Sequence, residues 1–344
     1  MSSSGGNAFL DLLLALAPAS MPDWLLVGLS ALMAVGVGLA LVAVNAFFGN
    51  ALERRLAGAP VSGPRNWFSA VRGSQAVENP SADGRAWFAP AIALAGTLGA
   101  LAAYPLAPHV FFADLELGWF VIVALLFVSS LADAWSDRDG GSAGMARIVD
   151  AVPTVLALFA GLLIAGTSNL IAASRLQAGE FGMGWAVFKN PFALLAAVLF
   201  LASACRTQRA RVSGLAEIAS ESTRKFLISA LASVYFLGGF ESPLTWGLRQ
   251  SLGEDPGFLN HVVLADGSSW TQIALGGFVF QVVCACTLLA KSWLVIAGLS
   301  WLERNGSHSR IIGAFQRHSM TIGIACVLGA GLWEWARAAL WSAG

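Results

Sequence analysis

Trp270-Thr-Gln-Ile-Ala-Leu-Gly-Gly-Phe-Val-Phe-Gln-Val-Val-Cys-Ala-Cys-Thr-Leu-Leu-Ala-Lys291-Ser-Trp-Leu-Val-Ile-Ala-Gly-Leu-Ser-Trp301 carries a single charge, Lys291, over its whole length. About 20 consecutive apolar residues cross a ~30 Å hydrocarbon core. The stretch is therefore long enough to span a bilayer. Working outward from it, seven more apolar stretches appear, at 24–48, 87–107, 117–132, 148–165, 192–205, 226–247 and 319–341. The 192–205 run is the shortest and spans only with its small flanking residues counted in. The chain reads as an all-α integral membrane protein with about eight transmembrane helices.

The connections between these stretches give an orientation. Residues 52–86 hold Arg54, Arg55, Arg65, Arg72 and Arg85, and residues 206–225 hold Arg206, Arg209, Arg211, Arg224 and Lys225. Residues 136–147 and 302–318 add Arg138, Arg147, Arg304, Arg310 and Arg317, while the alternate connections carry Arg175, Lys189 and Arg249 among seven acids. Positive charge resists translocation, so the basic loops are expected on the cytoplasmic side and both termini on the outer, periplasmic side.

Composition agrees. With 57% hydrophobic and 12% charged residues, and a mean hydropathy of +0.70, the chain has no sequence left for a solvated globular surface. Residues 1–344 read as one transmembrane helical domain. The Ala8–Leu16 run lacks a basic segment before it and contains Asp11, so residues 1–22 are expected to form an amphipathic segment on the membrane face rather than a cleaved signal. The net charge of zero adds nothing about partners, and no nucleic-acid patch is present. Cys205, Cys284, Cys286 and Cys326, with four scattered histidines, have no metal-ligand spacing, so no metal is expected. No phosphate loop or nucleophile elbow occurs, and any part in catalysis is expected to be that of a subunit.

Charges within or beside the spans carry more meaning, because each costs at least about 2.5–3.5 kcal/mol at membrane depth and normally faces a bundle interior. The candidates are Asp133, Asp150, Glu221, Lys291 and Glu334. Asp150 lies three residues before Pro153, where a missing backbone donor can open a polar pocket. Lys291 is too far from either end of its stretch to snorkel. Asp133 and Glu334 read as interfacial or cavity-facing side chains.

The first loop adds a pattern. Glu53-Arg54-Arg55 follows the first stretch, Gly63-Pro64 and Asn66 come next, and Ala82-Asp83 with Arg85 leads to Ala89-Pro90. This resembles the membrane component, the H subunit in bacteria, that anchors the peripheral arm of respiratory complex I and of membrane-bound hydrogenases. The likeness continues through Ala113-Asp114-Leu115, Ala134-Trp135-Ser136, Val152-Pro153, Ala165-Gly166, Ser229-Ala230-Leu231 and Phe236-Leu237-Gly238-Gly239-Phe240. It places Glu221 on an acidic position of the family, and Lys291 with Arg304 and Arg310 on the seventh helix and its basic exit.

Departures bear on chemistry. The family's acidic loop before helix six, which lines its quinone chamber, is replaced here by a short basic segment starting Arg206-Thr-Gln-Arg209. The family's Glu before Val-Pro falls on Ala151, with Asp150 one position earlier and about 100° around the helix. A family Arg aligns with Glu303.

The resemblance implies a subunit linking a peripheral redox arm to antiporter-like, ion-translocating membrane subunits in a bacterial inner membrane. Asp150, Glu221 and Lys291 are then the proton-path candidates. Glu53, Arg54, Arg55, Arg206 and Arg209 are the arm-docking candidates. No cofactor is expected to be bound by this chain, and a quinone site is expected to be degenerate or lost. Two other readings stay open: a stand-alone carrier of a small solute or ion, and a purely structural scaffold in which buried charges are paired.

Overall fold

The computed structural model describes residues 85–108, 115–136, 142–204, 215–253, 259–263, 269–273, 275–305 and 310–342, with Ala40 and Val44 as isolated helical positions. The first apolar stretch, the first loop with Glu53, Arg54 and Arg55, the N-terminal segment, and Arg206 and Arg209 lie outside the described residues.

Eleven helices and one hairpin make up the described chain. In order they are α1 (Arg85–Ala102), α2 (Gly118–Ser136), α3 (Ser142–Ala165), α4 (Leu170–Leu176), α5 (Ala186–Lys189), α6 (Pro191–Ala204), α7 (Leu215–Leu237) and α8 (Pro243–Leu252). The strands β1 (Leu259–Val263) and β2 (Ser269–Ile273) follow, then α9 (Leu275–Asn305), α10 (Arg310–Arg317) and α11 (Ser319–Ser342). Among the described residues, Ile148–Ala165, Leu275–Leu302 and Ser319–Leu340 are long and apolar enough to cross a membrane. Phe88–Ala102, Gly118–Ala132 and Pro191–Ala204 are shorter apolar helices. The protein is a helical membrane protein.

Several boundaries differ from the sequence reading, and α7 starts at Leu215, inside the 206–225 connection, rather than at 226. The seventh stretch begins not at 270 but at Leu275, because Ser269–Ile273 pairs antiparallel with Leu259–Val263 in the register His261↔Thr271. Apart from this hairpin the described elements are helical. The hairpin's signal was an Asp266-Gly267 pair between segments rich in β-branched residues. The sixth stretch, read as 226–247, is two helices. α7 stops at Leu237 because Gly238 and Gly239 adopt φ +72° and +54°, a left-handed conformation that only glycine takes cheaply. α8 restarts at Pro243 with a capping box, in which Ser242 Oγ accepts from Thr245 N–H and Thr245 Oγ1 accepts from Ser242 N–H.

Other ends follow the same local rules. α3 ends at Gly166 with φ +67°. α6 starts with Pro191 in its first turn, and Asn190 Oδ1 accepts from Phe192 N–H at 2.8 Å.

α7 is the centre of the bundle. From Phe226 to Phe236 nearly every residue is buried, and the helix packs on α1, α3 and α9. A helix apolar on all sides has no amphipathic stripe and belongs in the middle. Small residues bring the neighbours close. A Cβ on Gly161 of α3 would sit 2.9 Å from Tyr235 Cβ and 3.0 Å from Phe236 Cε1, and one on Gly96 of α1 would meet Leu125 O at 3.0 Å. Close backbone approach of this kind replaces the hydrophobic drive that helices lack in lipid. α3 in turn packs on α6 and α11.

Polar side chains mark the same contacts. Tyr104 Oη donates to Ala230 O at 3.1 Å, Thr154 Oγ1 to Ser203 Oγ at 3.0 Å, and Gln316 Nε2 to Ala202 O at 3.2 Å. Pro153 lies within α3, which continues across it as one helix.

Candidate functional site: a charge cluster at a broken helix

The break at Gly238-Gly239 leaves main-chain carbonyls at the end of α7 without helical partners, and each unmet group inside a membrane protein costs several kcal/mol. The sequence supplies a partner for them one at a time. Gly239 N–H donates back to Ser233 O, six residues earlier, at 2.8 Å. Gln177, beside the end of α4, donates its side-chain amide to Val234 O at 2.7 Å, and Ser174 Oγ donates to Gly238 O at 2.8 Å. Ser174 Oγ also accepts Phe240 N–H at 3.2 Å.

Lys291 completes the set from the other side. Its Nζ donates to Leu237 O at 2.6 Å and to Glu241 O at 2.5 Å, thereby bridging the break. The ammonium also stands 4.4 Å from the ring centre of Trp185, a cation–π contact. Lys291 lies sixteen residues into α9, about 24 Å along its axis. The end of α7 thus meets α9 at its middle, not at its tip, while α8 packs beside the first turns of α9.

The Glu241 side chain is fully buried. Arg249, on α8, holds it through two N–H donors, Nη2 to Oε1 at 2.6 Å and Nη1 to Oε2 at 3.2 Å, and its guanidinium lies 5.9 Å from the Phe280 ring centre of α9. The bidentate fork is what permits a carboxylate to stay ionised there. Counting ammonium, carboxylate and guanidinium, the cluster holds two positive charges and one negative. The residual positive charge faces the C-terminal end of α7, whose dipole carries roughly half a negative charge.

The other proton-path candidates are elsewhere. Glu221 pairs with Arg224 of its own helix, and Arg224 Nη1 reaches Ser130 Oγ of α2 at 3.4 Å. Glu221 is sixteen residues before Leu237, about 24 Å down α7, and Asp150 is about 22 Å before the end of α3. Both therefore lie toward the opposite end of the bundle from Lys291. Of the residues singled out in the sequence, the cluster gathers Lys291 alone and adds Glu241, Arg249 and Trp185. Glu334 forms an ion pair with Arg337 at 2.6 Å on the largely exposed α11, flanked by Trp333 and Trp335 in an aromatic collar suited to a membrane interface. Among the described residues no group of His, Cys, Asp or Glu could hold a metal ion.

Known proteins resemble this chain in a consistent way. No family model matches it. A curated protein of Chlorobaculum parvum, the H subunit of NADH-quinone oxidoreductase, is 32% identical over 186 residues, covering 45% of this chain and 52% of that protein. Its counterpart in Chlorobaculum tepidum is 31% identical over the same shares, and that of Anaeromyxobacter dehalogenans is 22% identical over 72% of this chain and 64% of its own length. The chain is similar to this H subunit over about half of its length. It spans about half the length of the first two relatives. The motif order shared with the family runs through the site itself, since Phe236-Leu237-Gly238-Gly239-Phe240 forms the break that Lys291 bridges.

Proposed function

We propose that this chain is the H-subunit-like membrane component of a complex I-like oxidoreductase, joining a peripheral redox arm to ion-translocating membrane subunits in a bacterial inner membrane. The observation that carries the reading is its kinship, at 32% identity, with the H subunit of NADH-quinone oxidoreductase. Eight spans, basic loops on the cytoplasmic side and outer termini belong to the proposal. Glu53, Arg54, Arg55, Arg206 and Arg209 are assigned to the docking face for the arm.

The quinone site is proposed to be degenerate, because the acidic loop that would line it is replaced by the basic segment following Cys205. A quinone-analogue photolabel attaching specifically between residues 206 and 221 would sink that part. The proton-path role is kept for Asp150 and Glu221. The scaffold reading draws support from the complete pairing of Glu241 and Lys291.

The deciding experiment is gentle detergent extraction from native membranes, with mass spectrometry of everything bound at stoichiometric amounts. Antiporter-like subunits together with an iron–sulfur or hydrogenase-like arm are expected. Recovery of the chain alone or as a homo-oligomer would move the argument to a stand-alone carrier.

A further inference from the structure

Lys291 differs from a proton carrier in what its ammonium touches. A carrier must release its proton, and its neighbours must tolerate the neutral amine. Here two of the three ammonium donors are committed to main-chain carbonyls on the two sides of a helix break, and the face of Trp185 lies against the same atom. Loss of the proton would remove charge-assisted bonds from both carbonyls at once. The Glu241 carboxylate, the acid whose charge acts on Lys291, is itself engaged on both oxygens by Arg249.

Broken helices elsewhere expose carbonyls that coordinate cations. In this chain the cation is supplied by the protein and tethered to α9.

We propose that Lys291 is a tethered cation that plugs the α7–α8 break and closes this level of the bundle to ions. The bundle needs such a closure because polar groups are buried close to the break. Ser229 Oγ and Tyr235 Oη lie buried in α7 with no hydrogen-bond partner among the described residues. Buried polar groups of this kind attract water. A residual positive charge at the same level of the bundle repels protons and metal cations, as positive side chains and half-helix ends do in selective pores.

The test is passive ion leak. Full-length chain, with whatever copurifies, is reconstituted into vesicles, and the decay of an imposed pH gradient is followed without any redox substrate. Lys291→Ala is expected to speed the decay several-fold. Lys291→Arg, which keeps the charge, should stay within about two-fold of the unaltered protein. If Lys291→Ala does not accumulate, Lys291→Gln reads the same question, since its amide keeps donors for the carbonyls but carries no charge; it too should leak. Alanine or glutamine vesicles as tight as the original would overturn the plug, as would arginine vesicles that leak as fast as the alanine ones. The assay needs no partner subunit, so a failed copurification would sink the proposed assembly without touching this result.

Discussion

At the scale of single residues, the arithmetic of buried charge decides which changes matter. Arg249→Leu leaves the Glu241 carboxylate buried and unpaired, a loss of about 3–5 kcal/mol when one partner of such a pair is removed. Glu241→Gln combined with Arg249→Leu removes both charges, and is expected to cost clearly less than the two single changes added together. Thermal unfolding of the four proteins in detergent closes the cycle, and additivity would show that the pair is not coupled. Lys291 was legible in the sequence, because one charge in a long apolar stretch has to have a use. Glu241 and Arg249 were not, since each reads as an ordinary loop charge until the chain folds back through Ser242-Pro243. Trp185 was missed for a plainer reason: nothing in a short connection distinguishes an aromatic that faces a cation from one that faces lipid.

At the scale of elements, the break between α7 and α8 depends on backbone that other residues cannot adopt cheaply. Gly238→Ala would set a Cβ 2.7 Å from Trp185 Cδ1 in a left-handed conformation, and Gly239→Ala would set one 2.5 Å from Ser174 Oγ. The conformation alone costs about 1–2 kcal/mol, and the contacts add to it. Both variants are expected to lower the melting temperature more than Ser242→Ala, which removes one cap worth about 1 kcal/mol. The reverse ranking would mean that the capping box, not the glycine pair, sets the break. Gly161→Leu should be as harmful as either glycine change, because α3 and α7 touch there. Hydropathy located most helices to within a few residues but merged α7 with α8, since Leu237 to Trp246 is apolar enough to average into one span. Glycine pairs followed by Ser-Pro are the finer signal. The hairpin was lost in the same way, absorbed into the apolar stretch that follows it.

For the whole molecule, the distribution of arginines predicts a sidedness that chemistry can read directly. On a background with Cys205, Cys284, Cys286 and Cys326 replaced by alanine, Glu180→Cys in the exposed connection between α4 and α5 should react with an impermeant maleimide added to spheroplasts. Ser213→Cys, in the basic loop, should react only after the membrane is opened. The opposite pattern would invert the orientation and move the docking residues to the wrong side for a cytoplasmic arm. The helical membrane class and the likeness to the complex I membrane component were both readable from spans and motif order. The meeting of Lys291 with the end of α7 was not, because contacts 50 and 54 residues apart in the chain leave no periodic trace.

That separation has a consequence for how the protein is made. Gln177 and Ser174 are synthesised before α7, so Val234 O and Gly238 O find their donors as soon as the helix arrives. Leu237 O has to wait for Lys291, 54 residues later. At roughly 5–20 residues per second, that is about 3–11 s of translation. Throughout those seconds the Leu237 carbonyl lacks the donor that α9 brings to it.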